Sequence, residues 1–276
     1  MTETQTLNKF TQIAATLLKF SLPLIFSGIL QQLYNWADAF IVGNVEGELA
    51  LAAVGATTTV VNFYVTAITG FTLGLSIQAA QKFGSGDRRA VSKIVSTFSL
   101  ILGGIFLVLA AAGIFLTSPM LRLLRTTPDT IRLAEDYLQI IFLGIPFLAV
   151  YNVYSAALRG VGNSRAPFYS VLLSSAVNVA LDILFVAGFH WSVAGAAAAT
   201  VISQAAMTVY LVFYSVKNYE ILRFRFCKAA FVKTIFFQGC RFGLPPMLQS
   251  SVSSVGSLIL QNFMNGFGTQ TVAAVT

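Results

Sequence analysis

Charge is scarce in this sequence: only 10% of its 276 residues are Asp, Glu, Lys or Arg, where an ordinary soluble domain carries about a quarter. That excludes a surface built to face water on all sides. Histidine occurs once, as His190 in a loop, and is given no role; no histidine or serine nucleophile constellation can be assembled, so the chain is not read as an enzyme. Cysteine occurs twice, as Cys227 and Cys240, without CxxC or metal-ligand spacing, which excludes a disulfide framework and a structural metal site. Gly84-Ser85-Gly86-Asp87 and Gly160-Val161-Gly162-Asn163-Ser164 look superficially like phosphate loops, but neither carries GK[ST] or follows a strand, so both read as tight turns. No cofactor is expected. A cleavable secretory signal is also absent from this reading, because the first apolar run is long and leads to Gln31, Gln32, Asn35 and Asp38 rather than to small residues.

What the chain has instead is apolar length. Hydrophobic residues make up 56% of it and the mean hydropathy is +0.78. At about 20 apolar residues per crossing, spans fall at 17–42, 50–80, 94–116, 134–157, 167–188, 193–215 and 242–263. The expected fold is all-α and polytopic, with the lipid bilayer as its main partner and a monomer as its state.

The net charge of +7 could suit nucleic acid, yet the basic residues lie between spans and form no stripe interleaved with aromatics, so no nucleic-acid partner is expected. Lys9, Lys19, Lys82, Arg88, Arg89, Lys93, Arg159, Arg165 and the 217–241 group place 14 of the 17 cations on one side; Arg122, Arg125 and Arg132 take the other. By the positive-inside rule the N-terminus and the 217–241 segment are cytoplasmic in a plasma (inner) membrane. The stretch Lys217–Phe226 reads either as a helix lying on an anionic leaflet or as a loop that fixes topology.

The sequence repeats itself. Phe20-Ser21-Leu22-Pro23 matches Phe242-Gly243-Leu244-Pro245 at an offset of 222, and Leu51-Ala52-Ala53-Val54 matches Val272-Ala273-Ala274-Val275 at 221. A repeating unit of six spans gives parallel repeats, the plan of transporters built from two bundles. The expected organisation is an N-lobe at 1–216, a basic cytoplasmic linker at 217–241 and the start of a C-lobe at 242–276, within a full length of about 440 residues.

Of the 10 acidic residues, eight fall in tails, loops or span ends, and Asp38 and Asp182 remain inside apolar sequence. A carboxylate at mid-bilayer costs about 2.5–3.5 kcal/mol. No basic residue lies within a span near either acid to offset it, Lys19 being at the far end of span one, which leaves a proton or a bound cation, Na+ at Asp38 and Asp182 included, as the compensation. Gln31, Asn35 (or Tyr34) and Asp38 share one face of span one, Asn178 and Asp182 are one turn apart on span five, and Thr200, Ser203 and Gln204 line span six, with Thr58 and Asn62 on span two. The competing reading makes these residues interhelical glue. Pro23, Pro146 and the pair Pro245-Pro246, which is expected to open span seven, free backbone carbonyls and permit bending.

Leu22-Pro23, Asp38-Ala39-Phe40-Ile41-Val42-Gly43, Leu51-Ala52-Ala53-Val54-Gly55, Leu158-Arg159-Gly160-Val161-Gly162-Asn163 and Asn178-Val179-Ala180-Leu181-Asp182 together resemble the multidrug and toxic compound extrusion family, in its bacterial DinF-like branch. The resemblance implies two six-helix lobes around a cavity open alternately to either side. It also implies export of amphipathic or cationic organic compounds in exchange for H+ or Na+. Asp38, Asn178, Asp182 and Thr200 stand at the positions of a cation or proton site in such relatives, and Pro23 at that of a bending proline. Where other branches carry an acid in span seven, 242–263 has none, with Ile259 or Leu260 aligned to Asp38.

The leading expectation is therefore a secondary antiporter. A flippase for lipid-linked oligosaccharide, from the same superfamily, would line its cavity with arginine or lysine for pyrophosphate, and the spans contain essentially none. A seven-helix receptor fits the span count but predicts no repeat.

Overall fold

The computed structural model describes residues 3–124, 126–223 and 233–265, and all regular structure among them is helical. The helices are α1 (Glu3–Glu46), α2 (Glu48–Gly84), α3 (Arg88–Leu123), α4 (Pro128–Gly160), α5 (Arg165–Asp182), α6 (Ser192–Asn218) and α7 (Lys233–Asn265). The first six are long and apolar enough to cross a membrane, and each contains the centre of one of the first six spans read from the sequence. At 1.5 Å per residue the 37 residues of α2 reach about 55 Å, well beyond the ~30 Å hydrocarbon layer. The helix ends therefore carry the polar turns.

Those turns are set by local chemistry. Gly47, at φ +88°, separates α1 from α2 in a left-handed conformation that a side chain would resist. The two glycine-rich stretches are helix–helix turns: Asp87 caps α3 by accepting the Ala90 N–H at 3.0 Å, and Asn163 Oδ1 caps α5 by accepting from Arg165 N and Ala166 N, each at 3.0 Å. Pro128 opens α4, where its missing N–H costs nothing.

Helix α4 is the centre of the bundle, packed against α2, α3 and α6, while α1 is held mainly by α5. Ile68 and Leu75 of α2, Phe98 and Phe106 of α3, Phe142 and Leu158 of α4 and Leu211 of α6 belong to one core, none more than 1% exposed. Close helix contact is made through small residues; a Cβ on Gly113 of α3 would meet the Phe142 ring at 2.7 Å.

One expectation changes here, and one of two alternatives is set aside. Helix α7 begins at Lys233, inside the stretch read as linker, so Pro245-Pro246 lies within the helix and does not open it. The reason is tertiary: Phe236 sits against Phe98 with ring centroids 6.1 Å apart, and the Gln78 amide donates to the Ile235 carbonyl at 3.1 Å, which anchors the first turns of α7 on α2 and α3. The basic segment is not one continuous helix over its described part either, since α6 stops at Asn218 and a 3-10 turn at Glu220–Leu222 buries Leu222 completely. Residues 224–232, with Cys227, and the second repeat match at 272–275 lie outside the described residues.

Candidate functional site

Helices α1 and α5 run in one direction through the bundle and α4 and α6 in the other. Counted from the end away from most of the basic loops, Asp38 lies about 12 Å before the end of α1, Tyr137 about 14 Å after the start of α4 and Thr200 about 12 Å after the start of α6. Asp182 closes α5 and is followed at once by a π-helical segment, Ile183–Gly188. The site residues thus share one layer. A π segment is a rare, wider turn that recurs at functional positions, and here its first residue follows the acid.

The packing around this layer is apolar. Val42, Ala50, Val186, Val193, Ala196 and Ala197 pack with Tyr137 and Ile141 into a second cluster, with Val42 and Val186 each one turn beyond an acid. Asn178 and Asp182 are both 0% exposed. Five buried polar atoms of Asp38, Asn178 and Asp182 have no hydrogen-bond partner among the described residues: Asp38 Oδ1, both amide heteroatoms of Asn178 and both carboxylate oxygens of Asp182. Leaving one buried polar atom unsatisfied costs about 1–3 kcal/mol. Residues serving as glue would be bonded across helices, so this clustering of bare polar atoms argues against the glue reading and for a group whose partner is exchangeable.

Electrostatically the layer is one unit. Asp38 and Asp182 interact electrostatically, and the Tyr137 phenol of α4 is within electrostatic reach of both. Tyr34, one turn before Asp38, interacts with it and with Tyr151. Tyr151 is hydrogen-bonded to Ser155 and Ser170, and Arg159 Nη1 donates to Ser155 Oγ at 3.1 Å. A polar chain therefore leads from the acids along α4 towards the α4–α5 turn. Two carboxylates with amide and phenol groups form a set of hard oxygens that can take a proton or a small monovalent cation.

Not every candidate joins this layer. Of the alternatives on α1, it is Tyr34 that accompanies Asp38; Asn35 is exposed and bonds Gln32 at 3.4 Å, and Gln31 is exposed as well. Asn62 and Thr58 of α2 are also exposed, the latter bonded to its own helix at the Val54 carbonyl. On α6, Thr200 is half-buried, Ser203 donates to the Thr200 carbonyl at 2.8 Å, and Gln204 is packed against Gly144 of α4. Pro23 lies within an unbroken α1, where the Ser27 hydroxyl donates to its carbonyl at 2.8 Å.

Tyr137 and Tyr151 were not among the residues singled out from the sequence. A signal existed: with Ser155 they recur at spacings of 14 and 4, which keeps them on one face of α4.

Comparison with known proteins gives concordant results. The MatE family model matches residues 23–184. The chain is similar to the probable multidrug resistance protein YpnP of Bacillus subtilis (strain 168), at 31% identity over 271 residues covering 96% of this chain and 59% of the relative. It is similar to the multidrug export protein MepA of Staphylococcus aureus (strain bovine RF122 / ET3-1), at 26% over 260 residues covering 94% of this chain and 57% of the relative. A crystal structure of MATE in the bent conformation superposes with a TM-score of 0.84 at 23% identity, over 94% of this chain and 58% of that one, and shows the fold. The chain spans a little under three-fifths of the length of these relatives.

Proposed function

The chain belongs to the MatE family, and from that premise we propose that the protein is a secondary antiporter that exports amphipathic or cationic organic compounds in exchange for H+ or Na+. That it is a multi-pass membrane protein follows from the six apolar helices and the family. Multidrug resistance and multidrug export are the roles by which its relatives are named, and they support the substrate class. The seven-helix receptor reading is set aside by the family match.

The observation that carries the antiport reading is the set of five polar atoms on Asp38, Asn178 and Asp182 without a partner among the described residues, buried in an otherwise apolar layer. In the proposed cycle a proton or Na+ occupies this layer when the site communicates with one side and leaves when it communicates with the other. Loading removes one unit of negative charge from the acid pair and so lowers the cost of holding it in the bilayer, which biases the bundle between its two arrangements. Tyr34 and Tyr137 add phenol dipoles near the carboxylates, Thr200 supplies a further oxygen from α6, and Pro23 lets the outer half of α1 tilt relative to its inner half. The orientation proposed puts the N-terminus, the α2–α3 turn and the α4–α5 turn in the cytoplasm, on the side holding 14 of 17 cations.

The test is transport by the reconstituted protein under independently imposed gradients. Accumulation of an organic cation dye driven by a pH gradient alone identifies H+, and accumulation driven by a Na+ gradient alone identifies Na+. Accumulation indifferent to both, with uptake that only follows the dye's own gradient, refutes antiport.

A further inference from the structure

A second polar feature lies at the basic-loop end of the bundle, away from the acids. Between the N-terminal part of α1, the start of α5 and the end of α6 is a cleft of about 910 Å³. Its wall carries Lys19 of α1 and Arg165 of α5 together with Tyr169, Tyr210 and Tyr214, and among the described residues no acidic one lines it. The one ion pair among the described residues, Arg223–Glu220, is elsewhere, so both cations face the cleft without a carboxylate partner among those residues. The volume is within the ~300–1,000 Å³ range of small-molecule sites.

The cleft is held in shape from behind. Asn163 donates to the Tyr219 hydroxyl at 2.9 Å and the Tyr214 hydroxyl at 3.3 Å, while its Oδ1 takes the first N–H groups of α5. Tyr214 in turn stacks on Tyr210, with centroids 6.3 Å apart and planes 24° from parallel. Because the α5 amides are already bonded and Pro167 has none to offer, recognition of an anion here falls to Lys19, Arg165 and the tyrosine hydroxyls. Nearer the bilayer centre α1 presents Leu22 and Ile25, and α5 presents Leu172 and Leu173, all exposed.

A pair of unpaired cations at the membrane boundary, phenol donors beside them and bare aliphatic surface just below match a phosphodiester with acyl chains attached. We propose that this cleft binds the headgroup of an anionic phospholipid of the cytoplasmic leaflet. Basic pockets between spans on that side are a recognised form of lipid site, and each lysine or arginine near the surface contributes about a fivefold preference for anionic lipid. The proposal rests on the orientation given above and not on the coupling role of Asp38 and Asp182.

The test is native mass spectrometry of the detergent-purified protein titrated with dioleoylphosphatidylglycerol or dioleoylphosphatidylcholine. Wild type should retain phosphatidylglycerol adducts preferentially. The Lys19→Gln/Arg165→Gln variant should lose that preference by about tenfold or more, while Lys82→Gln/Arg89→Gln, on the α2–α3 turn, should keep it. Equal retention by all three proteins, or no preference in wild type, overturns the proposal. Displacement of the adduct by millimolar sn-glycerol 1-phosphate as effectively as by the lipid overturns the assignment to a membrane source. Melting temperatures of the two variants, read in parallel, separate a lost site from a lost fold. Dye transport in the same preparations keeps this outcome distinct from failure of the antiport reading.

Discussion

Gly113 sets how closely α3 approaches α4, and alanine there has a cost that can be worked from the geometry. An added Cβ would lie 2.7 Å from two atoms of the Phe142 ring and 2.9 Å from a third, about 1 Å inside the ~3.5–4.0 Å of a relaxed carbon contact. The ring has little room to retreat, being 1% exposed and edge-on to Tyr64 at a centroid distance of 5.2 Å. Overpacking of this kind costs about 1–3 kcal/mol. Replacing glycine within a helix also contributes about 1 kcal/mol in the other direction, so a bare comparison with wild type would blur the result. Gly103 and Gly104 lie on the same helix, and a Cβ added at either would meet nothing within 4 Å. They gain the propensity term alone, and the difference between Gly113→Ala and Gly104→Ala isolates the clash at about 2 kcal/mol. Thermal melting of the detergent-solubilised protein measures it, and Phe142→Leu in the Gly113→Ala background should recover most of the loss. If Gly113→Ala melts with Gly104→Ala, the close α3–α4 contact is wrong.

Three further outcomes follow from the same structure. Asn163→Ala removes the α5 cap and both tyrosine contacts and should destabilise the protein by about 1–2 kcal/mol, whereas Asn163→Asp keeps the capping oxygen and should lose less; equal melting curves for the two would refute the cap. Tyr137→Phe removes a hydroxyl dipole that acts on both acids and should weaken ion-driven dye export about fivefold, the equivalent of about 1 kcal/mol, with the melting temperature little changed. In a background with Cys227 and Cys240 replaced, Ser85→Cys should react with an impermeant maleimide only from the cytoplasmic side and Thr127→Cys only from outside. The reverse pattern would invert the proposed topology.

Much of this was legible in the chain itself because a bilayer imposes strong rules. Six spans could be placed from apolar length alone, and Asp38, Asn178 and Asp182 stood out because a charge or amide in apolar sequence is expensive. Their meeting in one layer follows from counting residues from alternating helix ends. What could not be read depends on neighbours. The early start of α7 is decided by Phe98 and Gln78, residues roughly 140–160 positions away. Tyr34 and Asn35 are both polar and adjacent, and only the packing of α1 on α5 decides which one turns towards the acids. Tyr137 escaped notice because tyrosine is an ordinary residue at membrane depth and gains significance only from the two carboxylates within its electrostatic reach. The π segment after Asp182 has no sequence signature of its own.

The central claim is that Asp38 and Asp182 couple ion movement to export. The direct test measures two activities in the same proteoliposomes: exchange of labelled for unlabelled dye without any gradient, and dye accumulation under an imposed ion gradient equivalent to about 100 mV. One coupled charge at that gradient supplies about 2.3 kcal/mol, enough for about 50-fold accumulation. The account predicts that Asp38→Asn and Asp182→Asn keep dye exchange yet accumulate dye no more than about twofold over its external concentration. Accumulation by either variant close to the wild-type ratio would contradict it.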